Sequence, residues 1–88
     1  MTTQTITICN RAGIHARPAA LLVQATKDFL CNIYIEKGNN RINAKSIMGI
    51  ITLGAAYGTE LNIIADGEGE EAAVKTLVRL FESKFEEE

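Results

Sequence analysis

Thr5-Ile6-Thr7-Ile8-Cys9-Asn10-Arg11-Ala12-Gly13-Ile14-His15-Ala16-Arg17-Pro18-Ala19-Ala20 changes its period once within sixteen residues, and that change decides the fold. The first four residues alternate polar and apolar as a half-buried strand does, and Asn10 to Gly13 ends the strand in a loop. Pro18 has a pre-set φ and no N–H to lose, so it reads as a first-turn helix residue, with Ala19, Ala20, Leu21 and Leu22 continuing behind it. His15, the only histidine of the chain, is thereby delivered to the mouth of a helix. Unpaired backbone N–H groups, that of Ala16 among them, and the positive end of the helix dipole attract anions there. Arg17 adds a forked guanidinium suited to phosphate oxygens. The arrangement reads as a phosphate site built around one imidazole, whose nitrogen could receive a phosphoryl group.

Downstream, the helix is predicted to run from about Ala16 to Phe29. Ala19, Leu22, Val23, Thr26 and Phe29 fall on one side of it, and Arg17, Ala20, Gln24 and Lys27 on the other, facing solvent or a partner. Asn32-Ile33-Tyr34-Ile35-Glu36 alternates again, Lys37-Gly38-Asn39-Asn40 is a turn, and Arg41-Ile42-Asn43 begins a short returning strand, together a hairpin. Ser46 opens a short helix over Ile47 to Leu53 that closes near Gly54. Ile50 and Leu53 are expected inside this helix, and helical spacing cannot bury all its large apolar residues. Ile47, Met48 and Ile51 are therefore candidates for an exposed apolar patch, which with Ala20, Gln24 and Lys27 would form a small transient docking surface.

A fourth strand is predicted over Glu60 to Ala65 with Leu61, Ile63 and Ala65 inward, followed by Asp66-Gly67-Glu68-Gly69 and a helix from about Glu70 to Lys84. Val74, Leu77, Val78, Phe81 and Phe85 supply its apolar stripe, while Glu70 and Glu71 in the first turn and Lys84 in the last complement the dipole. The order is βαββαβα in one domain over residues 1–88. Strands that alternate need a cover on one face only. The predicted class is α+β, an open-faced β-sandwich with a four-stranded antiparallel sheet and three helices on one face.

Composition limits the chemistry. With 88 residues, 47% of them apolar, the chain has one core and little room for a buried multi-step active site. No apolar run approaches the roughly 20 residues of a membrane span, and the start lacks the basic and apolar regions of a signal peptide, so a cytoplasmic protein is expected. Cys9 and Cys31 are far apart and show no ligand spacing, which favours two thiols over a disulfide and disfavours zinc. The net charge of −2 hides an asymmetry: residues 1–50 carry six Lys/Arg against two Asp/Glu, and residues 51–88 carry three against nine, hence +4 and −6. Arg11, Arg17, Lys27, Arg41 and Lys45 around the lone histidine favour an anionic ligand or an acidic partner surface. Five scattered aromatics and no dense basic run speak against nucleic acid.

Asn10 to Ala20 resembles the active-site signature of the histidine-containing phosphocarrier (HPr) family of the bacterial phosphoenolpyruvate-dependent sugar phosphotransferase system. Asn43-Ala44-Lys45-Ser46-Ile47-Met48-Gly49 is similar to that family's regulatory serine motif, and the spacing, the length, the element order and Gly58-Thr59-Glu60 also match. The resemblance covers nearly the whole chain. It implies that His15 accepts a phosphoryl group on Nδ1 from phosphorylated enzyme I and passes it to the IIA components of sugar permeases. Arg17 and the Ala16 N–H would face the transferred oxygens, and Ser46 would be a substrate of an HPr kinase/phosphorylase, with a transcriptional regulator as a further partner. No metal, cofactor or membrane insertion is implied, and the protein would be a monomeric carrier with a covalent phosphohistidine intermediate, not a freestanding enzyme. Ile51 stands where methionine is frequent in the family and Gln24 where some members have lysine, which bears on partner preference. Two readings compete with this one. The first is an HPr-like regulatory protein acting mainly by binding a transcriptional regulator or metabolic enzyme through the Ser46 face, and the second is a plain α+β binding module. Ser46 is also a plain N-cap, worth about 1 kcal/mol relative to alanine whatever its regulation.

Overall fold

Ile6 lies opposite Leu61, Ile35 opposite Ile63 and Ile33 opposite Ala65, and all six side chains are buried, so period-two alternation gives the sheet one apolar face. The computed structural model describes residues 1–86; Glu87 and Glu88, the end of the predicted domain, lie outside the described residues. The elements are β1 (Thr2–Thr7), α1 (Ala16–Thr26), β2 (Asn32–Lys37), β3 (Asn40–Asn43), α2 (Ile47–Leu53), β4 (Glu60–Asp66) and α3 (Glu70–Glu82), followed by a 3-10 turn over Lys84–Glu86. Four strands pair antiparallel in the order β1-β4-β2-β3. Helix α3 packs over β1 and β4, α1 packs on α2 and α3, and α2 on β3, so one core lies between the sheet and its helical cover. This is the open-faced sandwich expected from the alternation.

The far face of the sheet is drier than alternation suggests. Ile64 is buried there, beside Thr3 and Tyr34 on the flanking strands. Around it the Thr5 hydroxyl donates to Asn62 Oδ1 at 2.7 Å and the Arg41 guanidinium sits 5.4 Å from the centroid of the Tyr34 ring.

Two helices stop earlier than predicted. Helix α1 ends at Thr26 instead of Phe29: the Lys27 N–H still meets the Val23 carbonyl in the helical pattern at 3.1 Å, but the Phe29 N–H turns to the Thr26 carbonyl three residues back at 3.1 Å, while the Thr26 hydroxyl donates to the Val23 carbonyl at 3.0 Å. Val23, inside α1, and Phe29, beyond its end, only border the core. Helix α3 ends at Glu82, and Lys84 and Phe85 then adopt φ of 56° and 54°. Lys84 is thus outside the last turn of α3, where Arg79 is the base that complements the dipole. A left-handed residue costs about 1–2 kcal/mol. Burying the Phe85 ring edge-on to Phe81, with centroids 4.9 Å apart, offsets that cost.

The β1 end of the sheet is clamped by Glu70. Its carboxylate accepts from the Thr2 hydroxyl at 2.5 Å, from the Met1 ammonium at 2.9 Å and from the Gly67 N–H at 3.2 Å. These donors, Thr2 foremost, hold its pKa at about 2 against an ordinary 4.5. A carboxylate depressed in the folded state stabilises the fold above its unfolded pKa and loses that contribution as the pH falls through the folded value. Glu70→Gln should therefore lower the urea midpoint at pH 7 and leave it closer to wild type at pH 2, flattening the acid limb between about 4.5 and 2. Parallel acid limbs in the two proteins would contradict the clamp.

Candidate functional site

The segment that carries His15 stands on two buried residues, Ile8 and Ile14. Ile8 exchanges backbone hydrogen bonds with the segment before β4, donating to Thr59 at 2.9 Å and accepting from Gly58 at 2.8 Å. Between the two isoleucines, Arg11 and Ala12 are exposed while Asn10 is wholly buried. Asn10 Nδ2 donates to the Gly13 carbonyl at 2.7 Å, and the Gly13 N–H donates to the Asn10 carbonyl at 3.1 Å. Gly13 has φ of 69°, and a Cβ on it would lie 2.8 Å from the Ala55 carbonyl oxygen, so glycine alone permits the approach. The Ile14 N–H donates to that oxygen at 2.9 Å.

His15 follows as the N-cap of α1, extended at φ −124° and ψ −165°, with an exposed side chain that caps no helical amide. The first helical hydrogen bond runs from Ala19 N–H to the His15 carbonyl at 3.0 Å. The amides of Ala16 and Arg17 precede that bond, and Pro18 has no N–H to offer. An exposed imidazole thus stands at the positive end of an 11-residue helix whose first turn holds no acidic residue. Arg17 is exposed one residue beyond Ala16. Together these groups can receive an anionic tetrahedral group and stabilise its oxygens.

The cations are less clustered than the sequence suggests. Arg11 and Arg17 flank the histidine in the chain, but Lys27 is the C-cap of α1, about 18 Å along the axis from His15. Lys45 Nζ donates to the Phe29 carbonyl at 2.6 Å, beyond that same C-terminal end, and Arg41 pairs with Glu36 at 3.1 Å on the β2–β3 hairpin. The basic residues of the first half are accordingly spread over the two ends of α1, the loops beside it and the β2–β3 hairpin, not gathered in a ring around His15.

Helix α2 lies beside α1 and runs antiparallel to it. Its C-terminal loop meets the histidine segment through Ala55, while Ala44 and Lys45, before its start, reach Thr26 and Phe29 at the far end of α1. Ser46 is the N-cap, its Oγ accepting from the Gly49 N–H at 3.1 Å, and Gly54 closes the helix in the left-handed region at φ 65°. Ile50 and Leu53 are buried, whereas Ile47, Met48 and Ile51 are 42%, 66% and 38% exposed. Ala20, Gln24 and Lys27 are exposed on α1 next to it. The structure therefore places the apolar residues of α2 and the polar stripe of α1 on neighbouring helices, with Ser46 toward the end away from His15.

Sequence reasoning placed Asn10 in a loop and missed its burial; the Asn-x-x-Gly spacing of a β-turn, with Asn first and Gly fourth, was the available signal. Cys9 and Cys31 are free thiols, the half-buried Cys9 Sγ donating to the Phe81 carbonyl at 3.2 Å. Among the described residues, no three His, Cys, Asp or Glu side chains gather to hold a metal ion, and no helix is long and apolar enough to cross a membrane.

Comparison with known proteins agrees with this fold. The family model described as "PTS HPr component phosphorylation site" matches residues 2–83. The phosphocarrier protein HPr of Treponema pallidum is 48% identical over 88 residues, covering all of both chains. The HPr-like protein Crh of Bacillus subtilis is 42% identical over 77 residues, 88% of this chain and 91% of that one. The crystal structure of HPr from Thermoanaerobacter tengcongensis superposes with a TM-score of 0.96 at 52% identity, covering 100% of this chain and 99% of that one. The same organism's HPr has also been solved as a dimer, with a TM-score of 0.77 at 52% identity over 97% of this chain and 98% of that one. On its sequence, its fold and the exposed histidine at the start of α1, the chain belongs to the HPr phosphocarrier family of the phosphotransferase system.

Proposed function

We propose that His15 takes a phosphoryl group on Nδ1 from phosphorylated enzyme I and hands it to the IIA components of sugar permeases in the cytoplasm. The observation that carries this reading is an exposed imidazole at the N-cap of α1, beside the first-turn amides and Arg17. Nδ1 attacks phosphorus in line, a P–N bond forms, and the bond to the donor breaks with its electron pair left on the donor. Such transfer needs alignment and charge stabilisation more than covalent help, so the Ala16 N–H and the Arg17 guanidinium suffice on this side and the partner supplies the rest. Exposure also lets the group leave again. The chain needs no metal or cofactor for this step. Incubation with phosphoenolpyruvate and enzyme I should give an acid-labile, base-stable phosphoramidate that then moves to a IIA protein. Absence of label from the wild type would remove the reading.

Ala20, Gln24 and Lys27 of α1 with Ile47, Met48 and Ile51 of α2 form the surface on which these partners dock. The apolar residues are desolvated on contact and the lysine faces an acidic rim. Docking through this face is simplest for a monomer. Since an HPr relative also exists as a dimer, light scattering at assay concentration checks this, and a dimer that masks the face would count against it.

Regulation is the second reading, favoured by the similarity to Crh and by the Ser46 motif. Ser46 is phosphorylated by an HPr kinase/phosphorylase, and the modified face binds a transcriptional regulator. A phosphoserine carries about −1.5 to −2 charges, tolerated at the start of α2 and repelled by an acidic partner, so transfer through His15 slows. Ser46→Ala should lose the cap to Gly49, lower stability by about 1 kcal/mol in urea titration and take no phosphate from ATP and the kinase. Equal incorporation into wild type and variant would place the modification elsewhere.

A further inference from the structure

We infer that Asn10 is a positioning residue for phosphoryl transfer at His15, acting through the Gly13–Ile14 peptide; the inference rests on the reading of His15 as the acceptor. Asn10 and Thr26 are the buried polar residues of the described chain. A buried amide is costly unless its hydrogen bonds are made, and Asn10 spends its Nδ2 on the carbonyl of Gly13 at 2.7 Å. The Gly13 carbonyl and the Ile14 N–H belong to a single peptide plane, and that N–H is held by the Ala55 carbonyl at 2.9 Å. The plane is thus fixed at both ends. One end is tied to the segment leaving β1 and the other to the loop after α2.

Only Ile14 separates this plane from His15. Ile14 is itself buried, which leaves little slack for the chain to absorb a rotation before the acceptor. Without the Asn10 donor the plane keeps only its Ala55 bond and can turn about it, carrying the imidazole off the line between the first-turn amides and the incoming phosphorus. Displacements of about 1 Å cost transfer steps up to about 100-fold. The docking surface on α1 and α2 contains none of these atoms, so the loss should fall on the turnover step and spare partner binding.

The test compares wild type, Asn10→Ala and Asn10→Leu, the last keeping a similar volume without the donor. All are assayed with enzyme I and phosphoenolpyruvate at a temperature where circular dichroism shows each fully folded; if the leucine protein does not fold, Asn10→Ser replaces it. The expected result is a kcat lower by about 10- to 100-fold with KM within about twofold of wild type. Smaller amide shifts of Ala16 and Arg17 on phosphorylation should accompany it. Unchanged kcat in folded variants, or a loss confined to KM, would overturn the inference and leave Asn10 a loop stabiliser. Failure of the wild type to take label at His15 would instead strike the carrier reading itself.

Discussion

His15→Ala should abolish phosphoramidate formation outright while leaving the fold standing. The imidazole is exposed, so its loss removes no buried apolar area and leaves no cavity in the core. Stability should change by less than about 1 kcal/mol, and the urea transition should keep its slope. Transfer has no such reserve. His15 is the chain's only histidine, and no neighbouring side chain offers a second imidazole that could form the same acid-labile, base-stable bond. Label is measured after incubation with phosphoenolpyruvate and enzyme I, with the wild type as the positive control. Acid-labile label that persists in the variant would mean that another residue accepts the group.

The contrast between these two effects follows from how the chain divides its work. The strands and the inner faces of the helices announce themselves by period: Ile33, Ile35, Leu61 and Ile63 alternate, and Leu22 and Phe81 recur at helical spacing because each must reach one core. Pro18, Ser46 and Gly54 mark helix ends by chemistry that acts within a few residues, and the structure uses them as such. What sequence could not supply is long-range. The contact of Gly13 with Ala55 spans more than forty residues, and nothing local to either position encodes it. The same holds for Lys45, whose charge suggests a place near the histidine but whose ammonium is taken by the Phe29 carbonyl. The early end of α3 has the same character, since Phe85 would fit the helical stripe, yet the backbone turns left-handed to bury it against Phe81.

Helices α1 and α2 place His15 and Ser46 at opposite ends of one face. The histidine segment is bound to the loop after α2, and the segment before Ser46 is bound to the end of α1 by Lys45 and Thr26. A charge added at Ser46 is therefore remote from the imidazole. It lies at the edge of the proposed docking surface, so its effect should appear in partner affinity before it appears in the transfer step.

Arg17→Glu should separate catalysis from stability by moving them in opposite directions. Arg17 occupies the first turn of α1, a turn without acidic residues, with its side chain on the exposed face. A carboxylate in that turn is favoured by the helix dipole and a guanidinium is not, so the variant should be more stable by about 0.3–1 kcal/mol. For a domain of this size that raises Tm by a few degrees, about 4–8 °C per kcal/mol. The same carboxylate faces a transferring group that carries its charge on three oxygens. Removing the donor and installing a repulsive anion should lower kcat/KM for phosphorylation by enzyme I about 100-fold or more. Scanning calorimetry and the transfer assay on one preparation give both numbers. A protein that melts higher and transfers poorly is the outcome expected from the role proposed for Arg17, which places a cation where the helix dipole disfavours one. A parallel fall in Tm and transfer would show that Arg17 supports the fold and that the loss of activity is only loss of structure.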